Sequence, residues 1–218
     1  MISCKLSQPL PLEGKNIIEK VNNAQKIFNN SFGLKQFRPE YRGKFIFFNT
    51  NKKYKGQNLM FPERFMHITS IEDKSNYTIF PCNNDITYSK CQNKCNPSMA
   101  HPEYQKIDRS ECLYRLARIH WIFEIINLAN SDDASIKEWT KAERDNKGNL
   151  VNKSFIRYEE GIVDYVIILK EDVRGGKIYK YHFITAFPVF TKRNKIQYDS
   201  DFNKYAQNKK SATSGTLK

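Results

Sequence analysis

The chain has 218 residues and a mass of 25.7 kDa, with 39% hydrophobic and 27% charged side chains. That suits one domain, or a domain with a sizeable extension, and its 15 Phe, 12 Tyr and 2 Trp exclude wholesale disorder. Net charge is +13, no apolar run approaches the roughly 20 residues of a membrane span, and Met1–Gly14 lacks the apolar core of a secretory signal, so a cytoplasmic protein is expected.

Residues 1–13 read as an extended lead-in. From Lys15 to Phe32, Ile17, Ile18, Val21, Ala24, Ile27 and Phe28 recur at helical spacing between Gly14 and Gly33, which predicts a helix. Lys44–Phe48 predicts a strand, as do Arg64–Thr69 and Tyr77–Phe80. Residues 81–110 carry three Cys and three Pro without periodicity and read as an irregular insert.

A helix is predicted over Glu111–Leu128, with Asp108 or Ser110 as its cap. Ser131–Trp139 reads as a short segment, and Lys147-Gly148-Asn149 marks a turn in a polar stretch. Strands are predicted at Ser154–Tyr158, Val163–Leu169 and Ile178–Phe187, the last two joined through residues 171–176 as a hairpin. A polar helix is expected from Ser200 to about Lys210, and a disordered tail over 211–218.

Helices and strands therefore fall in separate blocks. The expected class is α+β: helices packed on a small, twisted antiparallel sheet, with an irregular Cys-containing insert. Residues 1–110 would supply the first helix, strands and insert, and 111–210 a core of helix and antiparallel strands, the two making one compact unit.

Charge points to the class of partner. Residues 1–60 are net +8, 61–169 net −2 and 170–218 net +7. Two basic ends around a near-neutral middle suit a polyanion-binding face; the plain alternative is solubility. The sequences of nucleotide-binding loops, zinc proteases, serine hydrolases and kinases are missing. Basic, hydroxyl and imidazole side chains among aromatics remain, and metal-independent RNA cleavage needs that set. A base takes the 2′-hydroxyl proton, an acid protonates the leaving 5′-oxygen and cations stabilise the charged phosphorane.

Of the four histidines, His67 alternates with Phe65 and Thr69 on its predicted strand. His182 shares a strand face with Lys180, and cannot line one site with Thr185 unless a bulge intervenes. Arg115 and Arg118, three apart on one helical face, could clamp a phosphate or form a solvated stripe. Lys192, Arg193 and Lys195 follow the last strand and are placed for phosphate contacts, though also in an ordinary solvated loop. Tyr158 joins the candidates for its chemistry and its place at a strand end. Cys82, Cys91, Cys95 and Cys112, with His101 as a substitute, could hold a structural zinc or stay reduced thiols; five cysteines and no secretion signal argue against disulfides.

An ordered series runs through the second half: Arg115-Leu-Ala-Arg118-Ile-His120-Trp121-Ile122, Ile136-Lys-Glu-Trp139, Asp164-Tyr165-Val166-Ile167-Ile168-Leu169 and Phe183-Ile184-Thr185-Ala186-Phe187-Pro188. It resembles the phage- and mobile-element nucleases of the barnase–EndoU–colicin E5/D–RelE-like (BECR) superfamily. Phe187 stands where Tyr is usual. Phe65-Met66-His67-Ile68-Thr69-Ser70 is similar to a Phe-x-His-Leu-Thr-Gly element of some of these proteins, with Ser70 in place of Gly.

The resemblance covers roughly residues 40–200. It implies helices on an antiparallel sheet whose open face binds RNA, and a metal-independent endoribonuclease in a toxin, defence or phage-interference role. Its motif positions are His67, Arg115, Arg118 and Thr185. His67 would be the base or acid, the two arginines would hold the phosphate and Thr185 would position it. Lys180, His182, Lys192, Arg193 and Lys195 would contact nucleic acid. Expected partners are RNA (tRNA or another structured RNA) and an antitoxin or inhibitor protein, with no membrane and no catalytic cofactor. The alternative is a non-catalytic nucleic-acid- or partner-binding regulator from a phage or mobile element.

Overall fold

The computed structural model describes residues 5–33, 36, 38–72, 77–79, 81–84, 101–145 and 148–214. The first helix, α1 (Ile17–Phe28), is capped by Asn16, whose side chain accepts from the Glu19 amide; a π-helical turn, Asn29–Gly33, continues it. Strands β1 (Glu40–Tyr41) and β2 (Lys44–Phe47) form a hairpin, followed by the small hairpin β3 (Lys53–Tyr54) and β4 (Gln57–Asn58). Then come α2 (Glu63–Thr69), β5 (Ser70–Glu72), α3 (Pro102–Gln105), β6 (Arg109–Glu111), α4 (Leu113–Leu116) and α5 (Trp121–Asn130). The chain ends in the meander β7 (Ile136–Arg144), β8 (Leu150–Glu160), β9 (Val163–Arg174) and β10 (Lys177–Pro188), then α6 (Lys192–Ser214).

The α+β class stands, but the sheet is not antiparallel throughout. Its six strands run β1-β2-β10-β9-β8-β7, and β2 pairs parallel with β10. β9 and β10 are 12 residues each. Their hairpin closes on Gly175-Gly176, both at positive φ, a conformation only glycine adopts freely, so pairing extends into the expected connection. The turn at Gly148 falls where the sequence marks one, between the longer β7 and β8.

Alternation within strands separates two apolar layers. Ile156, Ile167, Leu169, Tyr181 and Phe183 join α1, α2 and α5 in the main core, which draws on both sides of residue 110. On the other face Trp139, Phe155 and Val166 pack beneath Tyr198, Phe202 and Tyr205 of α6. No helix among the described residues is long and apolar enough to cross a membrane.

Several sequence expectations are corrected. Arg64–Thr69 is helix, not strand: Pro62 sets the N-cap, and Phe65, Met66, Ile68 and Thr69 make a buried helical face. Tyr77–Ile79 is irregular; the Thr78 and Ile79 amides both donate to the Phe190 carbonyl, and residue 80 lies outside the described residues. The described end of the insert is ordered, with α3 and with β6 paired to β5.

The helix expected over 111–128 is two helices. In a continuous helix the Tyr114 carbonyl would accept from the Arg118 amide and the Ala117 carbonyl from the Trp121 amide. Instead the Arg118 side chain takes the first at 3.1 Å and the Leu10 amide takes the second at 2.8 Å. Asp108 and Ser110 cap neither helix; Asp108 turns at φ 53° and Ser110 lies in β6. Ser131–Trp139 leads into a full strand, and the last helix starts at Lys192 and reaches Ser214. The tail expected as disordered is therefore helical to 214; residues 215–218 lie outside the described ones.

Candidate functional site

His67 lies on α2, half-buried, at the wall of a cleft of about 520 Å³ that Tyr54, Glu72, Asp108 and Arg109 also line. Three guanidinium groups surround it. Arg64 stands one helical turn before His67 on α2, and its Nη1 donates to the Ile184 carbonyl of β10. Arg109 lies 3.4 Å from the His67 carbonyl, 3.1 Å from the Ser70 carbonyl and 2.6 Å from Ser70 Oγ. Arg115 donates to the same two carbonyls, at 3.4 Å to His67 and closely to Ser70.

The last turn of α2 leaves carbonyls without intrahelical partners, and two arginines from separate elements converge there to satisfy them. Arg109 pairs with Glu72 at 3.0 Å. Arg115 is 6% exposed, and no carboxylate among the described residues pairs with it. It lies 4.8 Å above the Phe190 ring and 5.9 Å above that of Phe187, and its Nε has no hydrogen-bond partner among the described residues. Burial lowers its pKa.

Burial, and then the charges of Arg109, Arg64 and Arg115, push His67 down to about 3. At neutral pH its imidazole is uncharged, so it can accept a proton and has none to donate as an imidazolium.

The expected residues divide. His67 and Arg115 meet at the end of α2. Thr185 adjoins them: Ile184, beside it, accepts from Arg64. The bulge that the sequence left open exists. Between Phe183 and Thr185 the register slips, so that Thr185 opposes Ile168 while His182 opposes Lys170. His182 and Thr185 therefore share one face of β10, with Phe187.

Arg118 turns elsewhere. Its guanidinium sits 3.5 Å over the Tyr114 ring and donates to the Tyr114 carbonyl, so it and Arg115 form no common clamp. Tyr158 is buried in the main core and bonds Glu160 and the Lys5 amide. Lys180 and His182 face Asp172 at 3.9 and 3.6 Å. Lys192 and Arg193 are exposed at the start of α6. Lys195 is held at 2.5 Å from Glu159 and 3.2 Å from Asp164.

Cys82 and Cys112 form no disulfide among the described residues; Cys91 and Cys95 lie outside the described residues. Among the described residues no group of His, Cys, Asp and Glu could hold a metal ion. His101 caps α3: its Nδ1 accepts from the Glu103 amide at 3.2 Å, and its own amide donates to the Glu111 carboxylate.

Arg64 and Arg109 escaped the sequence reading. Arg64 at i−3 from His67 would have been visible had α2 been read as a helix. Arg109 carried no such signal, because the β5–β6 pairing that delivers it joins segments some forty residues apart.

Comparison with family models, with curated proteins and with solved structures gives no match.

Proposed function

We propose that the protein is a metal-independent endoribonuclease with its centre at His67. One observation carries this reading: an imidazole whose pKa is lowered to about 3 by burial and neighbouring charge, in a cleft ringed by three guanidinium groups, of which Arg115 is buried with no carboxylate partner among the described residues. A phosphodiester brought beside Arg109 and Arg64 adds negative charge to that of Glu72, 3.0 Å from Arg109, and Glu63, 4.0 Å from Arg64. It also raises the proton affinity of His67, because it offsets the charges that lower it.

His67 then takes the 2′-hydroxyl proton. The 2′-oxygen bonds to phosphorus as the P–O5′ bond breaks, and the arginines stabilise the charge on the phosphorane oxygens. The leaving 5′-oxygen needs a proton, and Tyr54 is the hydroxyl that lines the cleft. The products are a 2′,3′-cyclic phosphate and a 5′-hydroxyl. The exposed Lys192 and Arg193 extend the contact surface, while Thr185 is buried on β10. The BECR resemblance supports the same chemistry, in a cytoplasmic toxin, defence or phage-interference role with an inhibitor protein as partner.

A specific observation favours a second reading, that of a non-catalytic nucleic-acid-binding regulator. Arg109 and Arg115 already have a structural task at the end of α2, which needs no substrate. Incubation with mixed tRNA and ribosomal RNA, with and without EDTA, separates the two. EDTA-resistant cutting that His67→Ala abolishes is the expected result. RNA retarded on a gel but left intact by both proteins overturns the ribonuclease and favours the regulator.

A further inference from the structure

We infer that Phe47 is a stacking subsite for an unpaired nucleobase, so that the substrate of the proposed ribonuclease is a single-stranded or looped stretch of RNA. The inference rests on the RNA-binding half of that reading, not on cleavage.

Ile46 and Phe47 of β2 oppose Tyr181 and His182 of β10. Strand alternation sends Ile46 into the main core and Phe47 to the opposite face. Phe48 is fully buried, stacked on Phe183 at 4.2 Å, whereas Phe47 is half-buried and belongs to none of the buried clusters.

What surrounds Phe47 is polar and basic. The Arg38 guanidinium lies 5.5 Å from its ring centre and Lys180 Nζ lies 5.2 Å from it. The His182 ring meets it edge-on at 5.3 Å. Arg38 is fixed by its Nε, which donates to the Phe32 carbonyl at 2.9 Å. Asp172 holds Lys180 and His182 from the side.

One cation over an aromatic ring is ordinary. Here two approach the same ring, Arg38 with no carboxylate partner among the described residues and Lys180 with Asp172 at 3.9 Å, and a phosphate would add an anion for both. A nucleotide supplies both halves, a flat base for the phenyl ring and a phosphate for Arg38 and Lys180.

The position along β10 connects this platform to the cleft. His182 lies beside Phe47, and Ile184, two residues or about 7 Å further along the strand, binds Arg64. Arg64 is one helical turn from His67. A strand of RNA with a phosphate near His67 can therefore lay a neighbouring base on Phe47. A paired base is stacked within its helix and cannot do so.

The test is binding, read by fluorescence anisotropy on a labelled 2′-O-methyl RNA decamer that cannot be cleaved by its own 2′-oxygen. The comparison probes are an abasic strand of equal length, the decamer annealed to its complement, and an oligoglutamate peptide. Wild type should bind the single strand at least tenfold tighter than any of the three. Phe47→Leu should lose about tenfold for the decamer and nothing for the abasic strand. Phe47→Tyr should keep wild-type affinity, and the pair Arg38→Gln with Lys180→Gln should weaken decamer and abasic strand alike.

Equal binding of duplex and single strand overturns the inference. So does an unchanged decamer affinity in Phe47→Leu, or oligoglutamate bound as tightly as RNA. Should Phe47→Leu fail to fold, Phe47→Tyr and the double variant decide, and unchanged affinity in the double variant overturns it. If the Phe47 effect holds while tRNA and ribosomal RNA stay intact, catalysis alone has failed. If no RNA probe binds, both proposals fall.

Discussion

His67 makes stability depend on acid in a defined direction. Its folded pKa of about 3 lies below the ordinary imidazole value of about 6.5. As pH falls, the unfolded chain takes this proton first, so the stabilisation is complete above about pH 6.5 and is lost progressively towards 3. His101, His120 and His182 are lowered too, each first by burial, and act with the same sign. Asp133 and Glu159, held at about 2, lose their contribution only at lower pH, from about 4 downwards. The urea midpoint should therefore fall between pH 6.5 and 4, and His67→Gln should flatten that slope. An identical slope in the variant would refute the buried neutral imidazole. In the cleavage assay the acid limb of kcat/KM, which reports the free enzyme, should stay level from pH 7 to about 4.5. Arg115→Met removes two bonds to the end of α2 and should cost about 1.5–3 kcal/mol by thermal melting. Arg115→Lys should restore part of it, because both bonds come from one nitrogen, Nη1, and an ammonium carries three donors.

The helix α6 is fastened by a charge network as well as by aromatics. Arg157, fully buried on β8, binds Asp164 at 2.7 Å on β9 and Asp199 at 2.7 Å on α6. Lys137 and Lys195 bind Glu159 beside it. Removing the central cation strands several acids, so Arg157→Met should destabilise by about 3–5 kcal/mol, while Asp199→Asn should cost less. A matching rise in the exposure of Trp139, which lies under α6, is measurable as a fluorescence shift. The same elements show what was legible. β8, β9 and β10 stood out because long β-branched and aromatic runs meet glycine turns. α2 was misread because seven residues satisfy either period, and the choice fell to packing of Phe65 on Phe28 and Phe61. The break between α4 and α5 depends on Leu10 and on the Arg118 side chain, neither visible in a periodicity.

Taken whole, the excess of 13 positive charges is not a uniform face. Lys137, Lys141, Lys153 and Lys195 are paired with acids, as are Lys180 with Asp172 and Arg109 with Glu72, while Arg38, Lys192 and Arg193 have no carboxylate partner among the described residues and are open to a polyanion. About six phosphate contacts would lower affinity roughly 10³-fold between 50 and 200 mM salt. A slope of log affinity against log salt close to zero would remove nucleic acid as the partner. Composition, hydrophobic period and glycine placement were enough for the α+β class, for α1, for the strands β8, β9 and β10 and for a basic chain, because these are properties of neighbouring residues. The candidate site is of another kind. It needs the bulge at Ile184 within the β9–β10 hairpin, and the parallel pairing of β2 with β10 and the β5–β6 pairing, the last two of which join segments dozens of residues apart. Those pairings follow from which surfaces bury best together across the folded chain, a competition that no short stretch of sequence contains.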